Sequence, residues 1–497
     1  MALPAAIVKL RKVLGKENVL DRSGDVMLYE YDAGVDKGTP GAVVFPATTE
    51  DVSAIVRIAA TEGVSIVPRG AGTGLSGGSI AREGGIVIVF TRMNRILEID
   101  LDNQRATVQP GVVNLELTNA VEKDGLYFAP DPSSQKASTI GGNVAENSGG
   151  PHTLAHGVAV NHVTGLEVVL GDGRIVEFGG SVIDGCGYDM CGFFTGTEGT
   201  VGIITRITVK LTRKAEAIAT LLAIFDTVDD GANSVVDITR EGITPTALEM
   251  FDGLTLRTVE EATHAGYPMD AGAVLLIELE GLRESVEEQA EAVRRVCMAN
   301  RAREVRRAKD ETERALLWKG RKNAFAALGR LAPSYYTQDG VVPRTKIPET
   351  LKVIAKISDK YGLRIANIFH AGDGNMHPAI LFDLRDPAQL EKTIQAGAEI
   401  LAYCVSVGGT ITGEHGVGME KDKLMSLLFT SSDMDVMKSL REAFNPNSLF
   451  NPGKIFPTTR SCRETGVAAI PPDLRYAKGP DLSGKGRSGA PSPELRK

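Results

Sequence analysis

The sequence contains no run of about twenty apolar residues, which is the length that a helix needs to cross a membrane. We therefore expect no membrane-spanning helix. The first residues also lack the cationic segment that precedes the apolar stretch of a secretory signal, so they predict an ordinary helix instead of a signal peptide. Both absences favour a cytoplasmic protein.

Cysteine is scarce as well. The five cysteines are odd in number and scattered, at Cys186, Cys191, Cys297, Cys404 and Cys462. This distribution predicts free thiols in a reducing compartment and argues against a disulfide framework. None of the spacings matches an iron–sulfur cluster motif.

The chain has no excess of positive charge. It carries 55 lysine and arginine residues against 63 aspartate and glutamate residues, for a formal net charge of −8. Proteins that bind nucleic acid usually present a basic surface, so this balance argues against a nucleic-acid partner. A small anionic substrate is still compatible with it, because such a substrate responds to local charge.

The length of 497 residues is too great for one ordinary core, and the residue composition and pattern change along the chain. After a helical lead-in at 1–39, short β-branched runs alternate with glycine clusters over 40–215. Residues 216–457 predict an antiparallel sheet backed by helices, with 420–457 packing back on the first domain. The tail at 458–497 is rich in Pro, Gly, Ser and basic residues, which predicts disorder. The predicted fold class is α+β.

The first motif with chemical content is a glycine-rich run from Pro68 to Gly78. Its glycines permit positive φ and let several backbone N–H groups approach a pyrophosphate. The spacing Gly72-x-Gly74-x-x-Gly77 matches a dinucleotide fingerprint, which also requires a helix directly after the glycines and an acidic residue about twenty positions later. Another strand pattern follows instead, so the NAD interpretation fails. The plain alternative is a flexible loop.

Three further segments favour a cofactor site. They are Pro130-Asp-Pro-Ser-Ser134, Thr139-Ile-Gly-Gly-Asn-Val-Ala-Glu-Asn-Ser-Gly-Gly150 and Gly196-Thr-Glu-Gly-Thr-Val-Gly-Ile-Ile204. With the glycine-rich run, they resemble in order the flavin-binding half of the vanillyl-alcohol-oxidase-like (PCMH-type) flavoproteins. The resemblance implies a PCMH-type FAD-binding domain. Several members bind FAD covalently through a histidine in the first loop; Thr73 stands in that place here, so we expect non-covalent FAD.

The same resemblance implies a set of cofactor-binding residues. They come from the four motifs and from one asparagine near the end of the second domain. The set is Pro68, Arg69, Gly70, Ala71, Gly72, Thr73, Gly74, Pro130, Asp131, Ser133, Thr139, Gly141, Gly142, Asn143, Ala145, Asn147, Gly149, Glu198, Gly202, Ile204 and Asn451.

Three of the seven histidines fall in two later glycine-rich runs. The first run extends from His370 to His377, and the second contains Glu414 and His415. Two imidazoles and one carboxylate suit a divalent metal and leave coordination positions open, as in a catalytic site. The remaining histidine titrates near neutral pH and can accept a proton. The two runs therefore predict a reaction centre.

These runs resemble the C-terminal domain of the FAD-linked 2-hydroxyacid dehydrogenases and oxidases, and the resemblance covers about residues 40–457. Within that family the sequence is most similar to the flavin subunits of bacterial glycolate oxidases, and it is also similar to D-lactate dehydrogenases. The resemblance implies FAD-dependent oxidation of a small 2-hydroxyacid, glycolate or D-lactate, to the 2-oxoacid.

The resemblance also implies roles for individual residues. His370, His377 and Glu414 would bind a divalent metal, Zn²⁺ or Mn²⁺, and His415 would be the general base. Arg321 would bind the substrate carboxylate, to which a guanidinium can donate two parallel hydrogen bonds.

Other sequence features leave alternatives open. His152, His156 and His162 could form a rival metal site, although no acidic residue adjoins them in the sequence. Phe325 and Tyr336 lie where related enzymes for larger diacids offer polar groups, which favours a small monoacid.

Electron transfer from the reduced flavin needs an acceptor, and the sequence has no haem motif and no iron–sulfur cysteines. The resemblance implies an iron–sulfur subunit and a second flavin-binding subunit that pass electrons to a quinone, with peripheral association at the membrane. A stand-alone D-lactate dehydrogenase that uses a cytochrome or quinone is the alternative enzyme. A flavin-binding assembly subunit without substrate chemistry is the alternative of a different class.

Overall fold

The computed structural model of the chain describes residues 2–182 and 187–457. The predicted disordered tail at 458–497, Cys186 and Cys462 lie outside the described residues. Cys191, Cys297 and Cys404 are free thiols, as predicted. None of the helices in the described part of the chain is long and apolar enough to cross a membrane.

The first lobe, which we define as residues 2–213, begins with a small mixed sheet. Its four strands lie in the order Val19–Leu20, Ala42–Val44, Ile86–Val89, Ile66–Arg69. Ile86–Val89 pairs in parallel with both of its neighbours, and all four of its residues are buried. A continuous apolar run of this kind is expected for a parallel strand that is covered on both faces.

A second sheet of five strands completes the first lobe. The order is Ile96–Asp100, Arg105–Val108, Ile203–Lys210, Val163–Val169, Ile175–Gly179, and every pairing is antiparallel. Leu126–Tyr127 and Thr212–Arg213 form a separate short pair. The helices of this lobe are Ala2–Leu14, Ser23–Val26, Thr49–Glu62, Asn114–Val121, Ile140–Glu146, Thr153–His156 and Met190–Phe194.

The second lobe, which we define as residues 217–406, is built on one antiparallel sheet, as predicted. The strand order is Glu304–Arg307, Ala217–Phe225, Ala273–Gly281, Ala247–Asp252, Ile365–His370, Asn375–Phe382, Ser334–Thr337, and Gly340–Val341 also pairs with Asn375–Phe382. The helices are Val228–Arg240, Gly253–Thr263, Arg283–Ala299, Glu311–Lys322, Ala324–Leu328, Ile347–Tyr361 and Pro387–Ser406. Both faces of the sheet carry buried apolar clusters.

One helix differs from the sequence pattern. The apolar spacing predicts a continuous helix over 310–330, but the structure has Glu311–Lys322 and Ala324–Leu328 with a break at Asn323. The Asn323 side chain donates a hydrogen bond to the carbonyl of Lys319 and thereby competes with the backbone pattern of the helix. After the break, Phe325 lines the cavity described below.

After the second lobe the chain returns to the first through Met425–Leu428 and Ser431–Phe444. The Asn445 amide donates hydrogen bonds to the carbonyls of Thr200 and Phe450, and Phe450 forms a parallel bridge with Ile66. Lys454 is fully buried, and its ammonium group donates to the carbonyl of Ile80. The end of the described chain therefore closes against the glycine-rich loop of the first lobe.

Candidate active site

A cavity between the lobes is lined from both sides. The first lobe contributes the loop Pro68–Leu75 and parts of the segment 138–148, while the second contributes Phe325, Tyr335 and Thr337. The histidine-rich runs line the same cavity through His370, His377, Glu414 and His415. The two groups of motifs that the sequence separates by about two hundred residues thus face a common space.

Most of the residues predicted to contact FAD line this cavity. These are Pro68, Arg69, Gly70, Ala71, Gly72, Thr73, Gly74, Ser133, Thr139, Gly141, Gly142, Asn143, Ala145, Glu198, Gly202 and Ile204. Gly72 has a φ of +72°, and a Cβ there would lie 2.2 Å from the Arg69 guanidinium, so the loop requires glycine at this point.

The remaining predicted contacts do not line the cavity: Pro130, Asp131, Asn147, Gly149 and Asn451. Two of them, Pro130 and Asn451, make hydrogen bonds that support the neighbouring loops. The Asn451 amide donates to the carbonyls of Gly78 (2.8 Å) and Glu198 (2.7 Å), and the Pro130 carbonyl accepts from Asn114. Asn147 ends the helix Ile140–Glu146 in the left-handed conformation. A motif identifies a loop, but it does not tell which of its residues face the ligand.

His370, His377 and Glu414 converge in the wall of the cavity. His370 ends one strand and His377 lies in the next, so the hairpin places their rings 5.1 Å apart. Glu414 Oε1 lies 3.3 Å from Nε2 of His370 and 3.1 Å from Nε2 of His377. Burial alone would raise the pKa of Glu414, but the two imidazoles hold it well below its usual range. These three side chains could hold a metal ion.

Arg321 lies behind His370 and does not line the cavity. Its guanidinium forms an ion pair with the buried carboxylate of Glu249 at 2.6 Å. Glu249 also accepts a hydrogen bond from Nδ1 of His370 at 2.8 Å, which directs Nε2 of that ring toward Glu414. Nη1 of Arg321 is buried and has no hydrogen-bond partner among the described residues, so it is the one guanidinium nitrogen left for another ligand.

The loop that carries Glu414 and His415 is held by Asp339, which is fully buried. The Asp339 carboxylate accepts hydrogen bonds from the backbone N–H groups of Gly413 (3.0 Å) and His415 (2.9 Å) and from the Thr412 hydroxyl. Burial would raise the pKa of Asp339, but nearby His415 and Lys421 keep it below its usual range. Asp339 therefore acts as an ionised anchor for this loop.

The same loop is tied to the first lobe on its other side. Glu198 is also buried, and its carboxylate accepts from the backbone N–H groups of Val417 (2.7 Å) and Gly418 (2.8 Å). The Ser76 hydroxyl donates to the carbonyl of His415. One short loop is thus fastened to both lobes by backbone hydrogen bonds to buried carboxylates.

The His415 ring lies against the His377 ring, with centroids 4.9 Å apart and planes 14° apart. Burial lowers the pKa of His415 to about 4, even though Asp339 nearby opposes the shift. Its imidazole is therefore neutral at neutral pH and can accept a proton from a group in the cavity.

The apolar wall of the cavity differs from the sequence prediction at one position. Phe325 lines the cavity as expected, but its partner is Tyr335 instead of Tyr336, with ring centroids 6.2 Å apart. Successive side chains of a strand point to opposite faces, so Tyr335 and Thr337 face the cavity while Tyr336 faces Gln338 and Glu420.

The rival histidine cluster does not assemble. His162 donates from its ring to the carbonyl of His156 and is not brought to a common point with the other two imidazoles. His152 and His156 instead face acidic residues of the second lobe, Glu278 and Glu280. Arg314 donates two hydrogen bonds to Glu278, so this carboxylate is already paired with a cation.

Sequence reasoning missed Glu249 and Asp339. The signal for Glu249 is an acidic residue between buried apolar neighbours in the strand Ala247–Asp252. Asp339 has a weaker signal, because Asp-Gly is common in turns. Neither position indicates by itself which partner it will meet.

The chain matches two protein-family models. Residues 40–179 match "FAD binding domain", and residues 214–455 match "FAD linked oxidases, C-terminal domain". It is 44% identical over 467 residues to "Glycolate oxidase subunit GlcD" of Escherichia coli (strain K12), covering 94% of each chain. It is 44% identical over 450 residues to the Bacillus subtilis (strain 168) protein of that name, covering 90% of this chain and 96% of the relative.

More distant relatives and solved structures extend this picture. The chain is 32% identical over 416 residues to "D-lactate dehydrogenase" of Archaeoglobus fulgidus, covering 83% of this chain and 90% of the relative. The fold is similar to that of p-cresol methylhydroxylase with substrate bound, with a TM-score of 0.78 and 20% sequence identity over 91% of this chain and 96% of that chain. The fold is also similar to that of 4-ethylphenol oxidase from Gulosibacter chungangensis, with a TM-score of 0.75 and 22% sequence identity over 92% of this chain and 98% of that chain.

Asp339→Asn is expected to loosen the loop around Glu414, because the amide nitrogen would face backbone N–H groups that need an acceptor. Hydrogen–deuterium exchange of residues 412–416 should become faster. Asp172→Asn, which removes an exposed carboxylate paired only with nearby Arg174, serves as the control and should leave that exchange unchanged. Equal protection in both variants would contradict the anchoring role.

Proposed function

The chain belongs to the family of FAD-linked 2-hydroxyacid oxidases and dehydrogenases, and we propose that its cavity oxidises a small 2-hydroxyacid, glycolate above all, to the 2-oxoacid with metal assistance. One observation carries the proposal. Two imidazoles, a carboxylate and a neutral histidine line the same cavity as the glycine-rich loop. A substrate between them would lie within reach of both a base and a cofactor.

The first lobe offers what non-covalent FAD requires. The loop Pro68–Gly74 presents backbone to the cavity. Thr73 has no ring nitrogen of the kind that forms the covalent bond between histidine and flavin in other members of the fold. Gly141 and Gly142 give a second segment of the cavity wall that has no side chains to hinder a close approach. When bound, FAD supplies a hydride acceptor.

The donor set fits a divalent metal. One ring nitrogen of His370, one of His377 and a Glu414 oxygen lie within 4.8 Å of one another. His377 Nε2 is buried and makes no well-formed hydrogen bond among the described residues, which leaves its lone pair directed at the centre of the cluster. Two nitrogen ligands and one oxygen ligand suit Zn²⁺ or Mn²⁺. The metal would supply a Lewis acid that lowers the pKa of a bound hydroxyl group.

The residues of the chain perform the proton transfer. His415 is neutral and buried beside the three ligands, so it accepts the proton that the substrate hydroxyl loses. Asp339 and Ser76 hold the backbone on both sides of that ring, which keeps it directed into the cavity. Glu249 fixes the tautomer of His370 by accepting from its Nδ1, as carboxylates commonly do for metal-binding histidines.

The rest of the site favours a small monoacid. Phe325 and Tyr335 close one side with aromatic surface, against which a second carboxylate would lose solvation without gaining a charge partner. We keep Arg321 as the proposed partner of the substrate carboxylate through Nη1, the nitrogen that Glu249 leaves unpaired; because Arg321 does not line the cavity, this contact requires its side chain to move forward past His370. Its contribution is then one charged hydrogen bond instead of a two-point grip.

We propose glycolate ahead of D-lactate as the substrate, because the glycolate oxidase subunits are 44% identical to the chain, whereas the named D-lactate dehydrogenases are 30–32% identical. The intact cluster of His370, His377, Glu414 and His415 speaks against a flavin-binding subunit without chemistry of its own.

We further propose that electrons leave the flavin through partner subunits. The two glycolate oxidase relatives are named as subunits, and the five scattered cysteines match no iron–sulfur spacing motif. An iron–sulfur subunit and a second flavin-binding subunit would carry the electrons to a quinone, with peripheral contact at the membrane. Nothing in the charge balance calls for nucleic acid.

The test is anaerobic bleaching of the flavin absorbance near about 450 nm, a general flavin band. The purified, FAD-loaded and metal-loaded chain is mixed in turn with glycolate, D-lactate, L-lactate and D-2-hydroxyglutarate. Fast bleaching by glycolate that a chelator abolishes is expected, with little bleaching by D-2-hydroxyglutarate. No bleaching by any monoacid, or bleaching that survives complete metal removal, would contradict the proposal.

His415→Asn should keep FAD bound and lower the rate of flavin reduction by about 10²- to 10⁴-fold, because the general base is lost while the ring position stays polar. Stopped-flow reduction by glycolate measures this rate. His264→Asn, at an exposed histidine that ends a helix in the left-handed conformation, is the control and should reduce normally. Rapid reduction in His415→Asn would remove His415 as the base.

His377→Ala should release the metal and leave FAD in place, since His377 contacts Glu414 and His415 but no residue of the glycine-rich loop. Elemental analysis of the dialysed protein gives the metal content, and absorbance gives the flavin content. A metal content equal to that of the unchanged chain would remove His377 from the ligand set.

A further inference from the structure

One short segment of the first lobe, Gly149–His156, contacts the second lobe beside the cluster of His370, His377 and Glu414. A Cβ at Gly149 would lie 2.9 Å from Oε2 of Glu414. A Cβ at Gly372, in the loop between the two ligand histidines, would lie 2.4 Å from the Leu154 side chain, which packs against the core of the second lobe. The segment therefore contacts the reaction centre at two points.

His152 lies in the middle of this segment and connects the lobes. Its Nδ1 is 2.9 Å from the carboxylate of Asp131, which belongs to the Pro-Asp-Pro turn of the first lobe. Its Nε2 is 3.3 Å from the carboxylate of Glu278 in the second lobe. Its ring packs on the indole of Trp318 with centroids 5.2 Å apart.

Glu278 is fully buried and is held from several sides. It accepts two hydrogen bonds from Arg314 at 2.9 Å, one from the Trp318 indole N–H at 2.6 Å and one from the Thr220 hydroxyl at 2.6 Å. Burial would raise the pKa of Glu278, but His152 and Arg314 keep it well below its usual range. Glu278 is thus an ionised group in a fixed position.

Only a protonated imidazole can donate to both carboxylates at once. Burial by itself would lower the pKa of His152, yet Asp131 and Glu278 raise it to about 10. Asp131, His152, Glu278 and Arg314 therefore form a row of alternating negative and positive charges across the interface. Lys322 extends the row at the Asp131 end, 3.6 Å from its carboxylate.

The row reaches the reaction centre through one helix. Arg314, Trp318 and Arg321 all lie on Glu311–Lys322, three or four residues apart, and so project from the same side of it. Arg321 is paired with Glu249, which holds His370. A displacement of this helix relative to the first lobe would move a predicted metal ligand relative to the FAD-binding loops.

We infer that Asp131, His152, Glu278 and Arg314 form an interlobe clamp, and that His152 is a positioning residue that sets the distance between the flavin-binding loops and the His370–Glu414 cluster. The effect on catalysis rests on the proposed function; the effect on the interface does not. Misplacing reactants by about 1 Å can cost about 100-fold in rate, so a clamp of this kind governs turnover without touching substrate.

Trp318 is the only tryptophan of the chain, is 7% exposed and donates to Glu278, so its fluorescence reports directly on the clamp. His152→Gln keeps a polar side chain but cannot donate a charged hydrogen bond to both carboxylates. We expect its tryptophan emission to shift to longer wavelength and acrylamide quenching to increase, with FAD and metal contents equal to those of the unchanged chain. Flavin reduction by glycolate should slow about 10- to 100-fold.

Two further variants complete the test. His152→Arg restores a cation that can donate to Asp131 and Glu278 together, and should recover both the shielded emission and most of the reduction rate. His264→Asn removes an exposed histidine far along the chain and should match the unchanged protein in every measurement. If His152→Gln fails to fold, His152→Arg still tests the proposal, since it keeps a positive charge at this position.

Shielded tryptophan emission together with a normal reduction rate in His152→Gln would overturn the clamp, and so would equal losses in the glutamine and arginine variants. The fluorescence measurements need no substrate. If no hydroxyacid reduces the flavin of the unchanged chain, the proposed function fails, while the shift in Trp318 emission still decides whether the clamp exists.

Discussion

The arrangement of the whole site depends on two buried carboxylates that hold one loop. Asp339 of the second lobe and Glu198 of the first each accept hydrogen bonds from backbone N–H groups of the segment between Thr412 and Gly418. Backbone amides aimed at a carboxylate leave little freedom, because each is a charge-assisted hydrogen bond in a buried setting. A proposed ligand and a proposed base, neighbours in the sequence, are therefore placed relative to both halves of the protein by the same few bonds.

Several carboxylates in the core of this enzyme are buried, and each is tied to partners of opposite charge or to amide donors. Glu249 pairs with Arg321 and His370, and Glu278 with Arg314 and His152. A buried ion pair gives little net stability, whereas losing one partner is costly because the other charge is left without solvent. Such pairs are better understood as devices that permit one geometry, which suits a site whose parts come from two lobes.

Much of the fold could be predicted from the sequence. The flavin-binding lobe was predicted from the resemblance of four short motifs to a known family, and two histidine-containing runs indicated that His370, His377 and Glu414 share a site, because each of these signals is a short run of residues. The partners of those residues could not be predicted in the same way. Asp339, Glu249 and Glu278 are single acidic residues in ordinary surroundings, and their roles arise only when distant strands are paired. The sequence analysis named Tyr336 where the structure has Tyr335 in the cavity wall. This difference has a similar origin, since strand register decides which face of the sheet a side chain occupies.

The return of the chain after the second lobe has a consequence for how the protein is made. The loop that borders the cofactor cavity is fastened by Asn451 and Lys454, more than three hundred residues later in the sequence. During synthesis the first lobe emerges from the ribosome long before those side chains exist, so these contacts can form only after the second lobe has been translated. The folding of the first lobe is therefore completed last, although its sequence is made first.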